Sequence, residues 1–181
     1  MLTLKIDTRD LKRLKRDLAA MRAKAPLAIA RGLNEGGDKV RTQVRRAMRE
    51  QTGLLRLRSV TDRQRTIRAF AGALSYSIVF AGKPSTKPDE FSLAVKRGKG
   101  GGVTVRMWGV PHRFQRSFQI PGRGAGGGLR MRLGGERFPI RGFDGPNLAK
   151  EATKGQVAPT FLAGARLLVE PMIIKRIARL L

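Results

Sequence analysis

The chain contains no cysteine, and histidine, tryptophan and tyrosine occur once each. The first absence excludes a disulfide framework, a thiolate nucleophile and any cysteine-based zinc or iron–sulfur site, and it fits a reducing cytoplasm. His112 is the only imidazole, so the commonest general base and metal ligand stands at one position without a nameable partner. Acid is scarce as well: 13 Asp and Glu face 38 Lys and Arg. The few close acids, such as Asp89 and Glu90, have no histidine or second carboxylate at a spacing that suggests metal ligation or acid–base work. No apolar run approaches the roughly 18 residues of a membrane span. The N-terminus "MLTLKIDTRDLKRLKRDL" lacks the apolar core of a signal peptide. These absences lead to the expectation of a protein that is neither exported nor embedded in a membrane, with little to support catalysis or metal binding.

What is present is positive charge. The balance is +25 with an isoelectric point near 11.9, and self-repulsion on that scale opposes a compact monomer unless a polyanion or another protein offsets it. Arginine outnumbers lysine 26 to 12, which suits phosphate-forking guanidinium groups and is equally the mark of a GC-rich genome. With 181 residues, 41% of them hydrophobic, the expectation is one domain with a real core.

The periodicity divides the chain into a helical part (8–68), a strand-rich middle (73–143) and a C-terminal helical segment (159–181). Leu11, Leu14, Leu18 and Met21 share one helical face. Pro26 suits the first turn of a second helix, whose stripe runs through Ile29, Leu33, Val40, Val44 and Met48, with Gly36 and Gly37 predicting a kink or close packing. Leu57 to Ile67 reads as a brief helix or ordered loop. From Ala73 the period becomes two, through Leu74, Tyr76, Ile78 and Phe80. "FSLAV" and "VTVRMW" continue as strands. Phe114, Phe118 and Ile120 share a parity with Arg116, and Leu129, Met131 and Leu133 alternate with Arg130 and Arg132, so two strands joined by "PGRGAGGG" are expected, packed by Trp108 and the Phe residues. Pro171 should bend or split the last helix. The fold class is α+β: N-terminal amphipathic helices, an antiparallel strand-rich middle and a C-terminal helix.

Gly122, Gly124 and Gly127 match G-x-G-x-x-G, but the "LRMRLG" after them has period two, so no helix N-terminus is expected there to receive a pyrophosphate. The stronger feature is a stretch from Phe91 to Gly135 that has no acid and nine basic residues: Lys96, Arg97, Lys99, Arg106, Arg113, Arg116, Arg123, Arg130 and Arg132. These are candidate DNA-facing residues that contact phosphates without reading sequence, since no helix-turn-helix, zinc-finger or RNP pattern occurs. Phe114 and Phe118 beside arginines suggest base stacking or, on their alternation, core packing. The apolar stripes of the terminal helices make Leu11, Leu14, Leu18, Ile173 and Ile177 candidate subunit-interface residues.

"FQRSFQIP" and "LRMRLGGERFPIRGFDGPNL", together with the helix "APLAIARGLNEGGDKVRTQVRRAM", resemble the minor tail protein Z family of tailed phages and prophages, the tail completion proteins of lambda-like phages. The resemblance covers roughly Ala25 to Asn147 and rests on Phe114, Phe118, Arg137, Phe138, Pro139, Ile140, Gly145 and Pro146. It implies a structural virion protein at the head-proximal end of the tail, assembled in the bacterial host cytoplasm. It also implies a homo-oligomeric ring, expected as a hexamer, that meets tail terminator and head–tail connector proteins and touches double-stranded DNA through its backbone, with no cofactor and no membrane. A nonspecific, nucleoid-type DNA binder explains the charge equally well, and an RNA-binding ribosomal-type protein is a third reading.

Overall fold

The structure, a computed structural model, describes residues 8–82, 85–96, 101–120, 128–134, 136–142 and 144–180. It is α+β: helices α1 (Thr8–Thr52) and α2 (Leu57–Thr61), a two-stranded sheet of β1 (Gln64–Ile67) and β2 (Ser77–Phe80), and a 3-10 turn at Pro88–Glu90. Two three-stranded antiparallel sheets come next, β3 (Ser92–Lys96), β4 (Gly102–Met107) and β5 (Val110–Gln115), then β6 (Ser117–Gln119), β7 (Leu129–Arg132) and β8 (Ile140–Gly142). The chain ends in α3 (Leu148–Glu151), α4 (Val157–Gly164), a π-helical turn (Ala165–Val169) and α5 (Glu170–Ala178). Two compact units result, and they cut across the linear helix–strand–helix partition of the sequence. One takes residues 1–40, 67–77 and 164–181, the other 41–66 and 78–163.

The N-terminal helices expected on either side of Pro26 are a single helix, with Pro26 inside it. A proline in a helix interior costs about 3 kcal/mol through a lost hydrogen bond and a steric clash. It is tolerated here between Ala-rich segments, "AAMRAKA" and "LAIA", in which alanine supplies the highest helix propensity of any residue. Gly53, at φ +79°, ends the helix and donates its N–H to the Arg49 carbonyl at 2.9 Å. The strand expected from Ala73 begins only at Ser77, because residues 70–73 form a tight turn in which Phe70 and Ala73 exchange both backbone hydrogen bonds.

In the first unit the glycines of α1 permit close helix packing rather than a kink. A Cβ at Gly32 would lie 2.7 Å from the Ile173 Cα, and one at Gly36 would lie 2.6 Å from the Val169 Cα. The two glycines are one turn apart, as are Val169 and Ile173 on the facing helix, so the backbones approach along a shared seam. The helix runs on through the π-turn that ends at Val169, and Pro171 follows directly after that widened turn. Segment 67–77 is held to α1 by polar contacts. Asn34 donates to the Ala69 carbonyl and accepts from the Ala69 N–H, both at 2.9 Å. Asp38 accepts from the Tyr76 hydroxyl at 2.8 Å and from Arg68 at 2.7 Å. Arg176 donates twice to one Glu35 oxygen, at 2.8 and 3.1 Å, and this hydrogen bond is the main cause that lowers the Glu35 pKa from its ordinary value.

In the second unit, the expected stripe is present: Val44 and Met48 of α1 are buried with Leu54, Val60, Phe91, Val103, Val105, Leu129, Leu148 and Val157. An ion pair lies inside this unit. Arg63 forks onto both Glu90 oxygens, at 2.8 and 2.6 Å, and also donates to the Ser59 and Ser85 carbonyls. Its side chain is 11% exposed and that of Glu90 is 15% exposed. Burial alone pushes the Glu90 carboxyl up, but hydrogen bonds from Arg63, Ser59 and the Lys87 N–H, with the charge of Arg63, outweigh it and leave the pKa lowered. Gly145 and Pro146 close the unit at another point: the Gly145 N–H donates to the Thr86 carbonyl and the Thr86 hydroxyl donates to the Pro146 carbonyl. A Cβ at Gly145 would lie 2.6 Å from the Thr86 hydroxyl and 2.9 Å from the Phe91 ring.

Gly36→Val should lower stability by about 1–3 kcal/mol through overpacking, read as a loss of thermal denaturation temperature. Arg63→Met should cost about 3–5 kcal/mol, because it strands a carboxylate that is largely buried. The sign with pH differs between wild type and this variant. A depressed Glu90 pKa contributes stability that is present above its ordinary value near 4.5 and is lost as pH falls through the folded value. Without Arg63, burial raises that pKa and the contribution reverses, so the stability gap between the two proteins should narrow on acidification, as denaturation curves from pH 7 to pH 4 would show.

Candidate nucleic-acid interface

The register of β3–β4–β5 sorts its side chains. Leu93, Val103, Val105, Met107, His112 and Phe114 share the face that meets the core, while Ser92, Ala94, Thr104, Arg106, Pro111 and Arg113 share the other. Arg106 and Arg113 are exposed there and stand diagonally across adjacent strands. Lys96 ends β3 opposite Gly102, its side chain outside the described residues, as are Arg97, Lys99 and Arg123 entirely.

The strand expected through residues 114–120 is two strands in two sheets. Arg116 has φ +58°, a left-handed conformation that inverts the alternation, so Phe114 belongs to the first sheet and Phe118 to the second. Ser117 secures this corner: its hydroxyl donates to the Phe114 carbonyl at 2.6 Å and accepts the Val103 N–H at 2.9 Å. Both Phe rings are half-buried.

In β6–β7–β8, Phe118, Arg130 and Gly142 stand opposite one another, and Arg132 lies two residues along β7 on the same face. The Arg132 guanidinium carbon is 5.3 Å from the centre of the Phe118 ring, a cation–π contact. The Arg130 guanidinium occupies the space over Gly142, where a Cβ would come within 2.8 Å of Nη1. Arg130 is therefore half-buried against the sheet, while Arg132 is exposed and reaches back to the Phe118 ring. Of the nine basic residues expected as one surface, the structure brings Arg106 and Arg113 together on one sheet, Arg130 and Arg132 on the other, and leaves Arg116 exposed at the corner between them.

The Gly-rich loop lies mostly outside the described residues, and the chain emerges from it as the strand β7, as expected. Phe138 is 65% exposed, with Arg137 near its ring and a cis bond to Pro139, and Ile140 opens β8. Trp108, expected to pack the strands, is instead 43% exposed at the β4–β5 turn, where a two-residue connection leaves no layer above it to cover the ring. The His112 ring stands edge-on to Trp108 at 5.6 Å. Among the described residues, no group of three or more His, Asp or Glu is arranged to hold a metal ion.

The helix candidates also change. Leu11, Leu14 and Leu18 lie on α1, their side chains outside the described residues. Ile173 packs against Gly32 within the chain and, like Ile177 one turn on, is half-buried. The most open large apolar side chains of the C-terminal helix are Leu167, at 75% exposed, Ile174, at 67%, and Leu162, at 62%. Periodicity identifies an apolar helix but not which side faces α1, since that depends on the glycine seam. Val157–Ala178 is also long and apolar enough, by length and composition, to cross a membrane, although it is not an unbroken apolar run.

No protein-family model, no curated protein and no solved structure matches this chain.

If Arg130 and Arg132 meet phosphate, Arg130→Ala and Arg132→Ala should each reduce the slope of log affinity against log salt by about 0.9 for duplex DNA. Gly142→Val should mimic Arg130→Ala by displacing the guanidinium, as a fluorescence-anisotropy titration at several salt concentrations would reveal.

Proposed function

We propose that this protein is a structural component of a tailed phage or prophage particle, a tail completion or head–tail joining protein at the head-proximal end of the tail, assembled as a ring around the DNA path. The reading starts from the residue resemblance over Ala25 to Asn147. The observation that carries it is the coexistence, in one small chain, of an acid-free basic strand region with a C-terminal helix whose large apolar side chains Leu167 and Ile174 stay open. Basic strands suit a DNA backbone, and an open apolar helix face suits a neighbouring subunit. A ring formed by heterologous contacts uses both at once, because each subunit covers the next and all present the same surface to the axis. Self-repulsion among subunits carrying +25 each is then offset by the polyanion they surround.

A membrane-crossing role for Val157–Ala178 is disfavoured by Arg166 and Glu170, which lie near its middle. Placing either at a bilayer centre costs about 2.5–3.5 kcal/mol on insertion scales. A nucleoid-type role is favoured by the charge alone.

Two measurements test the proposal. Quantitative mass spectrometry of gradient-purified particles should find the protein at a fixed low ratio to the portal protein, as a closed ring requires; its absence from particles, with the protein spread over cellular DNA, overturns the reading. By light scattering, the wild-type protein should be oligomeric, and Leu167→Glu with Ile174→Glu should give a folded monomer with unchanged circular dichroism.

A further inference from the structure

The turn between β4 and β5 is built from Trp108 at φ +51° and Gly109 at φ +75°. Two successive positive φ values are those of a type I′ hairpin turn, which selects Asn, Asp or Gly at its first position. A bulky aromatic residue there is a conformational outlier. Its backbone has a structural task, since the Trp108 N–H donates at 2.9 Å to the Thr52 carbonyl, one of the unpaired carbonyls at the end of α1. Any residue except proline supplies that N–H, however, so this task does not account for an indole. The ring stands edge-on to His112 at 5.6 Å, yet the side chain stays 43% exposed and its neighbour Val110 is 54% exposed. The fold thus holds a large ring, in an unfavourable backbone conformation, at the tip of a hairpin.

The hairpin that carries that tip has one sign of charge. Arg106 and Arg113 lie on the solvent face of the same hairpin, within a stretch from Phe91 to Gly135 that has no acid. A partner that offers a flat π surface and negative charges in series is a nucleic acid strand. Stacked bases in a duplex hide their faces, whereas unpaired bases expose them. We propose that the Trp108 tip is a stacking site for an unpaired nucleobase, with Arg106 and Arg113 engaging the flanking phosphates. The indole supplies the stacking surface, and the arginines supply affinity that does not depend on base identity. This rests on the basic-surface part of the proposed function and not on the ring.

Trp108 is the only tryptophan, so its emission reports on this site alone. In a titration of the full chain with unlabelled (dT)15, indole fluorescence should be quenched; a 15-base-pair duplex should bind with little quenching. With labelled (dT)15 in an anisotropy assay, Trp108→Gly should weaken binding roughly 5- to 100-fold and duplex binding less than twofold. Trp108→Phe should recover most of the single-strand affinity. Glycine suits the positive φ but loses the edge-on contact with His112, so Trp108→Gly should denature within a few degrees of wild type. A clear drop in denaturation temperature would make the indole a structural residue and overturn the proposal. So would single-strand binding that leaves the emission unchanged and is indifferent to Trp108→Gly; duplex binding retained in that case would leave the ring reading standing.

Discussion

Mutual repulsion among 25 excess positive charges is the constraint on which the arrangement of this protein depends. A chain with few acids can use some of them to neutralise a cation at a structural joint. Glu35 pairs with Arg176 and Asp38 with Arg68 in the first unit, and Glu90 pairs with Arg63 in the second. These acids sit where segments distant in sequence must be held together. The strand region from Phe91 to Gly135 contains none. The fold is internally neutralised where it is joined and left positive where its sheets face water, a distribution expected if the strands are to meet a polyanion.

Among the joints, the Arg63–Glu90 pair has the highest stake. Both groups are largely withdrawn from water, so the attraction between them must offset two desolvation costs. The bidentate geometry and the further bonds to the Ser59 and Ser85 carbonyls and from the Lys87 N–H leave few lone pairs or protons unpaired. By contrast Arg68 and Asp38 are more exposed, and their pair is worth little beyond positioning Tyr76 over Gly37. The ion pairs are alike in composition and differ in energy because burial differs.

Periodicity made much of this legible. The Val40–Val44–Met48 stripe, the strands around residues 92–96 and 102–107, the strand after the Gly-rich loop and the α+β class all derive from spacing that tracks burial. What escaped was decided by single backbone conformations. Arg116 adopts a left-handed φ and sends one apparent strand into two sheets. Pro26 stays inside a helix because its neighbours favour helix strongly enough. Trp108 carries no signal that it sits at a turn, since the residue type predicts the opposite. The Arg63–Glu90 pair was equally invisible, because its partners are 27 residues apart and only the folded chain brings them together. For the candidate interface, spacing named the basic residues; their division between two sheets needed the register.

That division separates two ways of presenting a guanidinium. Arg130 is half-buried over Gly142, so it has surrendered rotamer freedom before any ligand arrives and loses less on meeting a phosphate, while the exposed Arg132 keeps a cation–π contact with Phe118. Arg106 and Arg113 stand exposed on the other sheet, and ordering Arg106 on a ligand costs affinity but lets it adjust to a strand whose path varies. A rigid duplex gains more from the first arrangement and a flexible single strand tolerates the second. Arg106 and Arg113 share their hairpin with Trp108, the ring able to stack on an unpaired base, whereas the aromatic beside Arg130 and Arg132, Phe118, is already occupied by Arg132. Basic strands on one scaffold are in this way differentiated by what lies beneath each arginine, and the difference is set by a glycine and a phenylalanine rather than by the charges themselves.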